Sequence, residues 1–96
     1  MLVKNVEKKI WDVQGFDVVF KTPEGVNVRG DKRDMPGYQG KRASKNDMTV
    51  SEWKEKHFKK MYPGYDCDVL LGDEEPAHGL TKLGTVRDSY QDGDDL

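Results

Sequence analysis

The sequence of 96 residues contains one cysteine, Cys67. That excludes an internal disulfide framework and a cysteine-based zinc cluster within one chain. No apolar run approaches the ~18–20 residues that a membrane-spanning helix requires. The opening residues, MLVKNVEKKIWDV, lack the uninterrupted apolar stretch of ~7–15 residues that marks a secretory signal. Hydrophobic side chains are scarce, at 34% of the chain against 35% charged. A chain this short and lean has material for one core and one domain. The net charge is only −2 and aromatics make up 9% of the residues, which argues against a wholly disordered chain.

Charge is present in quantity but unevenly placed. Residues 1–28 carry four basic and four acidic groups, residues 29–60 ten basic and five acidic, and residues 61–96 two basic and nine acidic. A basic middle and an acidic end attract each other within a fold or between molecules. Salt screens such attraction over roughly 8 Å.

The first segment fits two patterns. Val3, Val6, Ile10 and Val13 form a helical stripe that Gly15 would end, whereas Trp11 and Val13 alternate as in a strand. The next segment has period two: Phe16, Val18 and Phe20 against Asp17, Val19 and Lys21. Thr22-Pro23-Glu24-Gly25 has turn chemistry, and Val26 and Val28 alternate on the way back. These features predict a β-hairpin over 16–29. Residues 30–48 show no period and carry three glycines and a proline among their cations. Such a segment is long for a connection, where ~4–6 residues is typical, and long loops are commonly functional or disordered.

Thr49-Val50-Ser51-Glu52 is a capping box that starts a helix. Glu52–Lys56 and Glu55–Lys59 are favourable i,i+4 pairs, and Pro63-Gly64 stops the helix. At regular helical spacing Val50, Trp53, His57 and Met61 share its buried face, with Phe58 at the edge of that face. Tyr65, Cys67, Val69 and Leu71 then alternate with Asp66, Asp68 and Leu70, followed by the turn Gly72-Asp73-Glu74-Glu75-Pro76 and a return through 77–80. Gly15-Phe16-Asp17 and Gly64-Tyr65-Asp66 open the two alternations, and each precedes a second glycine, Gly30 and Gly79, at the same distance. Glu24 and Glu74 fall nearly in register. Duplication and coincidence account equally for these few matches. Leu83, Val86 and Tyr90 share a face in a short C-terminal helix over 81–90, with Thr81 as its cap. The acidic tail 91–96 is expected to be disordered.

The fold class expected is therefore α+β, a single domain over 1–90. Two antiparallel hairpins would flank one central helix (ββαββ), with a long basic loop at 31–48. The expected core is Phe16, Val18, Phe20, Val26, Val28, Val50, Trp53, Met61, Tyr65, Cys67 and Val69.

Chemistry is sparse. His57, His78, Cys67 and the aspartates have no metal-ligand spacing, so no metal or cofactor is expected. Cys67 lies on the apolar side of a strand between two aspartates, where a thiol is a small hydrophobe. A small enzyme using Cys67 or His78, which a pair across the hairpin could join, is a remote alternative, and no catalytic residue is assigned. Arg29-Gly30-Asp31 matches a tripeptide that integrins read outside cells, but nothing indicates secretion.

The basic middle carries the functional expectation. Lys32, Arg33, Lys41, Arg42 and Lys45 lie in the loop beside Tyr38, with Lys56 and Lys59 on the helix. A cytoplasmic, non-enzymatic protein-binding module would use these residues against an acidic or mixed partner surface, with Tyr38 as an anchor. The alternative is an accessory nucleic-acid-binding protein using the same cations and a stackable tyrosine. The pI of about 5.6 disfavours it.

Overall fold

The first segment is helical. In the computed structural model, which describes residues 1–90, α1 spans Val3–Gln14 and buries Val3, Val6, Ile10 and Gln14 along one face. Val13 is only partly buried. Gly15 ends the helix in the left-handed region, with φ 81° and its N–H donated to the Trp11 carbonyl at 2.9 Å. Glycine adopts that conformation without a Cβ clash.

Both period-two segments are strands, but they pair differently from the expectation. β1 (Asp17–Lys21) turns Val18 and Phe20 inward, and β2 (Asp66–Leu70) turns Cys67 and Val69 inward. The two strands pair with each other, antiparallel, with Val19 opposite Asp68 at the centre. The ββαββ arrangement is thus replaced by one two-stranded sheet and three helices among the described residues. Each return segment makes a single bridge, Lys21 to Asn27 and Leu70 to Pro76. The edge of β1 explains why the first return goes no further. The Phe20 carbonyl accepts from Val28 N–H at 2.8 Å, but the Phe20 N–H donates to the Glu7 carboxylate at 3.0 Å. In the second return Leu71 N–H donates to the Glu75 carbonyl and Ala77 N–H to the Val69 carbonyl, each at 2.8 Å, on either side of Pro76. Val26, expected in the core, is consequently 62% exposed, and Val28 is only partly buried.

α2 covers residues 50–61 and starts at the capping box. Glu52 N–H donates to Thr49 Oγ1 and Thr49 N–H to Glu52 Oε1, each at 3.2 Å. After one α-turn, Val50–Trp53, the helix widens into a π-turn, Lys54–Phe58, and closes as α over Lys59–Met61. The π-turn adds one residue to the spacing. The buried face is therefore Val50, Trp53, Phe58 and Tyr62, and Met61 is only partly buried. α3 (Leu83–Ser89) buries Leu83 and Val86, starts after Lys82, and has no side-chain cap from Thr81.

Inward strand residues and helical stripes form one cluster, in which Tyr65 is peripheral. Phe16 meets Trp53 edge-on at 5.1 Å between ring centres. Phe20 meets Phe58 at 4.9 Å and Tyr62 at 5.1 Å. Edge-to-face pairs add about 0.5–1.5 kcal/mol each to the burial of their area. The tail 91–96 lies outside the described residues.

Candidate functional site: a basic strap along α1

Residues 31–48 form neither helix nor strand, yet they are tied to the fold at both ends. At the start of α1, Val3 N–H donates to the Lys32 carbonyl at 3.0 Å and Lys4 N–H to the Gly30 carbonyl at 2.9 Å. These bonds satisfy donors that a helix N-terminus leaves unpaired. At its end, the Gln14 side-chain amide donates to the Arg42 carbonyl at 3.1 Å, and its oxygen accepts Ser44 N–H at 2.8 Å. The segment is therefore a strap running the length of α1, about 18 Å for twelve residues at 1.5 Å each.

Two side chains pin the strap between those ends. Met35 and Tyr38 are buried in the core. Tyr38 is 7% exposed and its hydroxyl accepts from Gln14 Nε2 at 2.9 Å. Burial raises its pKa, opposed by the Gln14 amide and by the Trp53 indole N–H that faces it. That indole N–H makes no well-formed hydrogen bond itself. Tyr62 donates from its hydroxyl to the Pro36 carbonyl at 3.1 Å, and burial pushes its own pKa up to about 12. Tyr38 is thus an internal fastener of the strap, unavailable as a partner anchor or a stacking platform.

The remaining expected site residues separate into two sets. Lys32, Arg33, Lys41, Arg42 and Lys45 are exposed, and none forms an ion pair among the described residues. Lys32 and Arg33 lie at the N-terminal end of α1, and Lys41, Arg42 and Lys45 at its C-terminal end. Lys56 and Lys59 instead pair with Glu52 at 3.8 Å and Glu55 at 3.0 Å, one turn back on α2. None of these bonds reaches the strap.

Gln14 and Arg87 are central to the site and were not among the expected residues. Arg87 donates from Nε to the Gln14 carbonyl at 2.7 Å, from Nη1 to Asn46 Oδ1 at 2.7 Å and from Nη2 to Gln14 Oε1 at 3.3 Å. Its guanidinium lies 5.7 Å from the centre of the Phe16 ring. A cation on the last carbonyls of a helix suits the helix dipole. Partial burial lowers the Arg87 pKa. The signal for Gln14 was its place on the 3, 6, 10, 14 stripe. Arg87 had none, because its partners are remote in sequence.

Cys67 is buried, and desolvation pushes its thiol pKa up, with Asp66 and Asp68 adding to the shift. The His78 imidazole accepts Leu80 N–H through Nδ1 at 3.1 Å. Among the described residues no concave pocket is present and no group of three or more His, Cys, Asp or Glu side chains converges. No helix among them is long and apolar enough to cross a membrane. Comparison with protein-family models, curated proteins and solved structures finds no match to the chain.

Proposed function

We propose that the chain is a non-enzymatic protein-binding module whose strap presents Lys32, Arg33, Lys41, Arg42 and Lys45 to an acidic partner surface. One observation carries this reading. The strap is fastened by buried Met35 and Tyr38, while its five cations stay exposed and unpaired among the described residues. Among the other cations, Lys8, Lys21, Arg29, Lys54, Lys56 and Lys59 each face a carboxylate, whereas Lys4, Lys9, Lys60, Lys82 and Arg87 form no ion pair among the described residues. Cations on an ordered segment lose less freedom when a partner binds than cations on a mobile one. They also steer an acidic surface into register. The single thiol is buried and its pKa raised, which supports a binding role over nucleophilic chemistry and suits a reducing, cytoplasmic setting.

The same cations serve the nucleic-acid alternative, but burial of Tyr38 removes the strap's one aromatic platform. Fluorescence anisotropy separates the two. A labelled polyglutamate peptide and labelled single- and double-stranded oligonucleotides are titrated at low and near-physiological salt. Peptide binding that disappears in the Lys41→Glu, Arg42→Glu, Lys45→Glu variant supports the protein-binding module. Oligonucleotide binding with a steep salt slope and no peptide binding replaces it with the alternative.

A further inference from the structure

We infer that the chain is an internal duplication of one helix–strand–turn unit, and that the face each copy presents is a two-fold docking surface fitted to the other copy. The correspondence lies in backbone bonds that the sequence does not show. After β1, Thr22 N–H donates to the Val26 carbonyl, Gly25 N–H to Thr22 and Val28 N–H to Phe20, at 2.8, 2.9 and 2.8 Å. After β2, Leu71 N–H donates to Glu75, Glu74 N–H to Leu71 and Ala77 N–H to Val69, at the same three distances. The residue three positions after Thr22 and after Leu71 is left-handed in both, Gly25 with φ 87° and Glu74 with φ 69°. The first two N–H groups of each helix have matching loop acceptors. Val3 and Lys4 donate to Lys32 and Gly30, as Val50 and Ser51 donate to Thr81 and Gly79.

The two conspicuous glycines then have one explanation. A Cβ on Gly30 would press on Lys4 Cβ at 3.3 Å, and one on Gly79 would collide with Ser51 Oγ. Each glycine lets a loop carbonyl reach the second residue of its helix. Arg29-Gly30-Asp31 is thus a helix-capping segment equivalent to His78-Gly79-Leu80. The spacing between copies is 47 residues at Val3 and Val50, 48 at Ile10 and Phe58, and 49 from Gly15 and Gly64 onward. The π-turn accounts for the first added residue, and Pro63 for the second.

The strand register has the same symmetry. Val19 and Asp68 are equivalent residues, and they are the central pair of the sheet. A pseudo-two-fold axis therefore passes between them and exchanges β1 with β2. Across that axis the copies differ in size. α1 offers Val3, Val6, Ile10 and Gln14 where α2 offers Val50, Trp53, Phe58 and Tyr62. The rings of α2 pack on Phe16 and Phe20 of the other copy. Two small-faced copies would leave a void, and two large-faced copies would overpack. Two second copies would also set Asp68 against Asp68. Each copy's fitting partner is therefore the other copy rather than its own duplicate.

A chain carrying a site-specific protease sequence between Arg42 and Ala43 tests this. It is cut while folded, then followed by gel filtration and far-UV circular dichroism. The halves are expected to co-elute with the parent's spectrum, to lose it when separated in denaturant and diluted singly, and to regain it on mixing. A half that regains the helical signal alone, or a mixture that does not regain it, overturns the docking surface. The equivalence of the copies is tested in the uncut chain by exchanging their capping segments. Arg29→His, Asp31→Leu and Lys32→Thr are combined with His78→Arg, Leu80→Asp and Thr81→Lys. A cooperative melt within about 5 °C of the parent is expected. Loss of the cooperative transition overturns the duplication.

Discussion

Gln14 occupies a stripe position where α1 would ordinarily bury an aliphatic side chain, and its amide joins three parts of the chain. It donates to Tyr38 and the Arg42 carbonyl, and accepts from Ser44 and Arg87. Gln14→Ala leaves those groups short of partners and should cost about 1–3 kcal/mol. Amide exchange in 38–44 should accelerate more than exchange in β1. Uniform acceleration across the protein would show that Gln14 supports global stability without specifically fastening the strap. Glu7 is half-buried and also bonds across the fold, accepting from Phe20 N–H. Burial raises its pKa, the Phe20 N–H opposes that shift, and Asp17 adds to it. A carboxyl whose folded pKa is raised contributes stability below its unfolded value, ~4.3 for glutamate. That contribution is lost as pH rises through the folded value. Glu7→Gln keeps an acceptor for Phe20 and cannot ionise. Relative to the parent, the variant should therefore gain stability between pH 4 and pH 7, measured by urea unfolding. A difference that does not change with pH would rule out Glu7 as the source.

At the scale of elements, α2 shows how one inserted residue re-aims a helix. Regular spacing from Val50 and Trp53 reaches His57 and Met61. The π-turn carries Phe58 and Tyr62 into the core instead. α1 buries 3, 6, 10 and 14 with no insertion. Deleting Glu55, an exposed residue of the π-turn, should therefore yield a regular α-helix that keeps both aromatics buried. The cost should be within about 1 kcal/mol, since only an exposed ion pair to Lys59 is lost. Deleting Lys9 from α1 should instead rotate Ile10 off the core and cost about 2–5 kcal/mol. Equal effects of the two deletions in thermal melts would contradict the insertion. Trp53, which meets Phe16 and Phe58, should be the most damaging helix position. Trp53→Ala is expected to cost about 3–5 kcal/mol in chemical denaturation. A variant as stable as the parent would refute this packing.

At the scale of the molecule, the strap is the described connection between the two repeated units, and it carries five cations unpaired among the described residues. Reversing Lys41, Arg42 and Lys45 should leave the fold's circular dichroism intact, because these side chains make no ion pair among the described residues. It should abolish binding to the acidic peptide at low salt, by at least about tenfold in Kd. Retained affinity would move the docking surface elsewhere.

The residues alone determined what depends on near neighbours. The capping box at Thr49 and Glu52, the period-two strands and the turn at Pro23 to Gly25 all follow from interactions within a few positions. Trp53, Phe16, Phe20, Cys67 and Val69 were legible as core because their spacing matches a helix face or a strand face. Only the tertiary structure decided which strands pair. Period-two alternation says that a strand has one buried face, but both of its edges look alike until other chain segments occupy them. The Glu7 carboxylate on Phe20 N–H limited the first return, and β2 took the other edge of β1. The burial of Tyr38, Met35, Phe58 and Tyr62 was likewise decided at a distance. A long connection carries no period of its own, and a single π-turn shifts a helical pattern by one residue with no mark in the sequence.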